Sequence, residues 1–164
     1  MMVQIEYDSS ALQGRTVEEV STILHNCGFK YIEQVEVKDV YINTHFRENE
    51  VSMVKIDGNS KFKANSEFPY NADVVLKVHK KKEITIPFSA GSLRRKNYKD
   101  VCSKLTSLGF TDVQTSSIKD LVTGWIIKDG SVEKILIDWK DEVKKNMVLK
   151  YDTKFIVEYH TFKK

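Results

Sequence analysis

The amino-acid sequence predicts an α+β fold of two tandem β-α-β-β-β repeats, each with one helix packed on a small, mainly antiparallel sheet. Three observations predict it. The chain of 164 residues aligns with itself at an offset of 81 without a gap, and about 16 of 81 paired positions are identical. One amphipathic helical pattern occurs in each copy. Runs rich in β-branched and aromatic residues surround that pattern. Self-similarity at a fixed period marks tandem units, so repeats are expected at 1–82 and 83–164.

At that offset Cys27-Gly28-Phe29 falls on Leu108-Gly109-Phe110, Lys38-Asp39 on Lys119-Asp120, Val51 on Val132, Ile56-Asp57 on Ile137-Asp138 and His79 on His160. Each repeat is expected to open on a short strand, at 3–7 and 84–88. The helix follows. Val17, Val20, Ile23, Leu24 and Cys27 share one face at helical spacing, as do Tyr98, Val101, Cys102, Leu105 and Leu108. Thr16 with Glu19 three residues later forms a capping box, and Asn97 with Asp100 is a weaker copy. Gly28 and Gly109 stand where a left-handed residue ends a helix. Three strands are then expected at 31–37, 51–57 and 73–79, with partners at 112–118, 132–138 and 154–160. Asp57-Gly58-Asn59 is a turn signal. The join 73–86 contains neither Gly nor Pro. It is therefore expected to be short and extended, carrying the last strand of one repeat into the first of the next along a stiff rod.

Composition removes whole classes. With 41% apolar and 30% charged residues, 7 Gly and 2 Pro, the chain is neither collagen-like, low-complexity nor intrinsically disordered. The net charge of +3 divides into −1 (11 Lys/Arg, 12 Asp/Glu) before residue 83 and +4 (15 and 11) after it. A polyanion partner is allowed by this excess but not demanded. Charge breaks every apolar run well short of the roughly 18 residues of a membrane span, and residues 1–10 lack the layout of a signal peptide. No targeting segment is expected in this chain.

Chemical motifs are sparse. His79 and His160 occupy one place in the two copies, but no Cys or carboxylate lies at ligand spacing to either. Each ring is expected to pack against its own sheet, and no metal site is expected. Cys27 and Cys102 are not equivalent and lie on helix faces of different repeats, so free buried thiols are expected. No nucleophile elbow, phosphate loop or dinucleotide fingerprint is present. An enzyme and a cofactor are therefore not expected. Two surface groups rise above background. Trp125 and Trp139 replace Thr44 and Gly58 of the first copy, so the core does not require them. Either is a candidate ligand contact for a glycan ring or a partner chain. For Trp125 the competing reading is a ring that covers the helix or seals the junction between repeats. Arg94, Arg95, Lys96 and Lys99 are candidate contacts for an anionic polymer, or simply a solvated helix start. Nucleic acid is not favoured, because no aromatic interleaving accompanies them.

The order of these residues resembles the PASTA domain, associated with penicillin-binding proteins and serine/threonine kinases. The likeness rests on Leu12-Gln13-Gly14, Val20, Leu24 and Gly28-Phe29, repeated as Leu93, Val101, Leu105 and Gly109-Phe110, and on an Ile86-Pro87 start. Glu6 stands in place of that Pro in the first repeat, and Arg95 in place of the Gly in the second. Extra length falls around 43–50 and 124–130. The chain looks similar to a divergent branch found as tandem pairs in Gram-positive bacteria, on the strength of the segment 120–125, Lys128-Asp129-Gly130 and the terminal segment 159–162. The resemblance implies a non-catalytic binding or spacer module of a cell-envelope protein, extracellular or at the cell surface if an upstream signal or anchor exists. Peptidoglycan fragments or another envelope protein are the implied partners. A purely structural spacer or protein-interaction segment and a polyanion-binding module stand as alternatives. No binding residue is carried over from the family.

Overall fold

In the computed structural model, which describes residues 1–163, the chain folds as two compact units that divide between Lys82 and Glu83. Lys164, the last residue of the expected second repeat, lies outside the described residues. Unit 1 runs β1 (Met2–Ile5), α1 (Ser9–Leu12), α2 (Val17–Cys27), β2 (Ile32–Val40), β3 (Val51–Ile56), β4 (Ser66–Pro69) and β5 (Val74–Lys81). Unit 2 runs β6 (Glu83–Thr85), α3 (Ala90–Leu93), α4 (Tyr98–Ser107), β7 (Asp112–Leu121), β8 (Val132–Ile137), β9 (Asp141–Glu142), β10 (Val148–Lys150) and β11 (Lys154–Phe162). The fold is α+β, with several small sheets.

The main helix forms where its caps and apolar face demand. In α2 the Glu19 N–H donates to Thr16 Oγ1 at 3.3 Å and the Thr16 N–H donates to Glu19 Oε2 at 3.0 Å. Two end groups that the helix cannot satisfy internally are thereby paired. In α4 the reciprocal box is absent, and Asn97 Oδ1 accepts from the Lys99 N–H at 2.9 Å instead. Gly28 ends α2 at φ +108, and a Cβ there would come 2.9 Å from Val3 Cγ1. Both the left-handed backbone and the close approach of β1 require glycine.

Each unit carries two sheets. In unit 1, β5 lies between β2 and β3, parallel to the first and antiparallel to the second. A separate antiparallel pair joins β1 to β4. Unit 2 repeats this, with β11 between β7 and β8, β9 added beyond β8, and β6 paired with β10. The strands β4, β9 and β10 and the one-turn helices α1 and α3 had no sequence signal. β4 holds a single buried apolar residue, Phe68, next to a proline, so alternation never develops. The opening strands are shorter than expected. β6 stops at Thr85, before Pro87, which has no N–H to pair.

Two cores result. Val20, Leu24, Phe29, Val54, Ile56 and Leu76 lie at the centre of one, and Val101, Leu105, Phe110, Ile135, Phe155 and Val157 at the centre of the other. Leu24 and Leu105 are fully buried, and each such side chain contributes about 1.5–3 kcal/mol. Phe110 meets Phe155 edge-on at 4.6 Å between ring centres.

Candidate functional site

Two copies of one fold separate residues the fold needs from residues it does not. Most positions identical between the units lie in the cores, as with Leu12 and Leu93 or Phe29 and Phe110, or at left-handed turns, as with Asn65 and Asn146 at φ 67. The pairing of Asp39 with His79, and of Asp120 with His160, belongs to neither group.

In unit 1, His79 Nδ1 lies 2.8 and 3.0 Å from the two Asp39 carboxylate oxygens. In unit 2, His160 Nδ1 lies 3.0 and 2.8 Å from those of Asp120. Local chain geometry brings them together. His79 sits opposite Val37, and the β2–β5 register slips between Lys38 and Val40, leaving Asp39 as the bulged residue; Asp120 is bulged in the same way between Lys119 and Leu121. Bulges re-aim side chains. The remaining face of each ring is also engaged. The His79 ring stacks on Phe46 at 3.9 Å, and His160 Nε2 lies 3.3 Å from Glu133 Oε2. Metal-ligand spacing and the packing of each ring on its own sheet, the two things expected from the sequence, did not foresee these aspartate contacts from the neighbouring strand. The pairs clamp the ends of β2 and β7 to the central strands. Among the described residues no group of three or more His, Cys, Asp or Glu side chains is placed to hold a metal ion.

The two tryptophans do not converge. Trp125 follows β7, whose last residue Leu121 pairs with Phe162 at the end of β11, and Trp139 follows β8, whose last residue Ile137 pairs with Phe155 near its start. Seven residues of strand, on the order of 20 Å, separate Phe155 from Phe162. Trp125 is 91% exposed, so it does not cover the helix. Trp139 is 53% exposed and adopts φ 64, where Gly58 of unit 1 has φ 77. With Asp138 at φ 51, both central residues of this two-residue turn are left-handed, the type I′ pattern that favours Asp-Gly. A tryptophan there strains the backbone without filling the core.

The basic group disperses. Arg94 Nε donates to the Glu133 carbonyl and Nη2 to Glu142 Oε1, both at 3.1 Å, strapping α3 to β8 and β9. Arg95 takes φ 63 where Gly14 stands in unit 1, while Arg95, Lys96 and Lys99 are exposed.

A groove went unforeseen. About 760 Å³ opens beside α2 and the start of β2, lined by Ser21, His25, Lys30, Tyr31, Glu33 and Asp73 among others. Ser21 Oγ is buried there with no hydrogen-bond partner among the described residues. Tyr31 stands 80% exposed at its side. The sequence places Tyr31 at the start of the expected strand 31–37, whereas β2 begins one residue later, at Ile32. Cys27 and Cys102 are free and half-buried, and burial raises both thiols above the ordinary thiol range.

No family model and no curated protein matches the chain. Among solved structures it is similar to the three-PASTA-domain of a Ser/Thr kinase from Staphylococcus aureus, at 15% identity and a TM-score of 0.44, over 96% of this chain and 68% of that one. It is also similar to the entire extracellular region of the Ser/Thr kinase PrkC from Staphylococcus aureus, at 14% identity and a TM-score of 0.44. That match covers 93% of this chain but only 46% of the other.

Proposed function

We propose that this chain is a non-catalytic binding module of a bacterial cell-envelope protein, made of two PASTA-like repeats, and that its second repeat contacts peptidoglycan fragments through Trp139. The sequence resemblance supports the module and its extracellular or surface location. Trp139 supports the contact: a half-exposed indole at a turn position where the other copy keeps glycine. A flat aromatic face suits a sugar ring, and tryptophan offers a large contact area at small entropic cost. The test is a muropeptide titration of a Trp125→Phe variant, in which Trp139 is the sole tryptophan. A saturable change in its fluorescence is expected. No response at millimolar ligand overturns the assignment.

A spacer role is the second reading, favoured because Lys82 alone separates β5 from β6. It predicts that muropeptides leave the fluorescence of both tryptophans unchanged, and a saturable change in either refutes it.

A further inference from the structure

The loop 122–127 of unit 2 exposes apolar side chains that its counterpart in unit 1 lacks or ties down. Val122, Trp125 and Ile126 are 77%, 91% and 91% exposed. Phe162, 43% exposed, extends the surface, with its ring beside Gly124, where a Cβ would come 3.4 Å from Phe162 Cζ. Phe162 is the register partner of Leu121, and the Lys163 N–H donates to the Leu121 carbonyl at 3.1 Å. The apolar residues therefore gather at one end of unit 2, where β7 and β11 both finish.

In unit 1 Tyr41, Thr44 and His45 occupy the places of Val122, Trp125 and Ile126. There the Lys82 ammonium sits 4.9 Å over the Tyr41 ring, Thr44 Oγ1 donates to the Tyr41 carbonyl at 2.9 Å, and Phe46 stacks on His79. The fold closes this loop with one exposed apolar side chain, Ile42 at 50%, so the larger and more exposed apolar tip in unit 2 has another cause.

Charge and shape point to the occupant. Side chains this exposed form a convex tip, suited to a soft apolar phase rather than to a rigid groove. Lys119, Lys128 and Lys163 are exposed around it. Of the acids nearby, Asp120 and Glu133 share His160, which offsets at most one of their two charges, and Asp129 stands apart; exposed Arg95 and Lys96, whose backbones bond Val132 at the start of β8, add two cations at this end. Tryptophan with aliphatic neighbours and flanking lysines is the composition that settles at a membrane interface. We propose that loop 122–127 docks unit 2 on the surface of an anionic phospholipid bilayer, with Trp125 and Ile126 entering the headgroup region. No helix of the described residues is long and apolar enough to cross a membrane, so the contact is peripheral. It does not depend on the peptidoglycan reading, whose contact Trp139 lies at the opposite end of β11.

The test uses the full chain carrying Trp139→Phe, so that Trp125 is the only tryptophan. With vesicles of phosphatidylglycerol and phosphatidylcholine, the expected results are a blue shift, quenching by brominated acyl chains and co-flotation. Vesicles of phosphatidylcholine alone should bind much less, and raised salt should release the protein. The double variant Trp125→Ser/Ile126→Ser, followed by co-flotation, should bind at least about tenfold less. Lys119→Glu/Lys128→Glu should weaken binding with the tip intact. Absence of quenching, equal binding by the serine variant, a shift that grows with protein concentration without vesicles, or a shift of Trp125 caused by muropeptides each overturns the proposal. Muropeptide binding at Trp139, read in Trp125→Phe, stands or falls separately.

Discussion

The left-handed turn at Trp139 can be tested through a single methyl group. Trp139→Ala and Trp139→Gly remove the same indole and differ only in Cβ. At φ 64 a Cβ crowds the following carbonyl oxygen, at a cost of about 1–2 kcal/mol, part of which the greater chain entropy of unfolded glycine offsets. The glycine variant should therefore be about 1 kcal/mol more stable than the alanine variant. Gly58→Ala supplies the control in unit 1, because at φ 77 a Cβ there meets nothing within 4 Å, so its cost is conformational alone. It should lose about 1 kcal/mol as well. Urea unfolding of the full chain, followed by far-UV circular dichroism, measures both differences, and in a unit of this size 1 kcal/mol moves the midpoint of thermal unfolding by about 4–8 °C. Equal stability of the alanine and glycine variants would refute the strained turn. The case for a functional Trp139 would then lose its main support.

Three further outcomes follow from the contacts. Asp120→Ala should destabilise unit 2 by about 1 kcal/mol, a figure discounted from the usual charged hydrogen bond because the carboxylate is partly exposed; a His160→Phe/Asp120→Ala cycle that showed no coupling would remove the clamp. Tyr159 stacks on Tyr98 at 3.9 Å, and burial, then the neighbouring Tyr98, holds its phenol above the ordinary phenol range. Stability should therefore be intact below the unfolded phenol value, near 10, and be lost as pH rises through the raised folded value. Tyr159→Phe should flatten that decline in pH-dependent denaturation. Cys27 and Cys102, raised by burial, should react with iodoacetamide at neutral pH more slowly than glutathione and reach the ordinary rate only on unfolding.

Features that depend on neighbours along the chain were legible in the sequence. Thr16 and Glu19 mark the start of α2 and Gly28 its end, because caps act over three or four residues. The buried faces of α2 and α4 follow from spacing alone. β4 and β10 escaped because three or four residues cannot show a period, and each exists only by pairing with the opening strand of its unit. The repeat offset had already aligned Asp39 with Asp120 and His79 with His160, but not with each other. Each pair is 40 residues apart in sequence, and only the parallel register of β2 on β5, and of β7 on β11, with a bulge at the aspartate, closes that gap.

The same division holds for the candidate contacts. Local sequence determined that Trp139 sits in a turn that wants glycine, and that Trp125 has no aromatic counterpart in the other copy. Tertiary structure decided that the two rings stand at opposite ends of β11, that Trp125 is exposed, and that Arg94 is tied to Glu142. Helix caps, turns and apolar periods are short-range consequences of backbone sterics and hydrogen bonding, so the order of residues carries them. Exposure and the meeting of distant side chains depend on which strands lie side by side, and that is settled only when the whole unit buries its core.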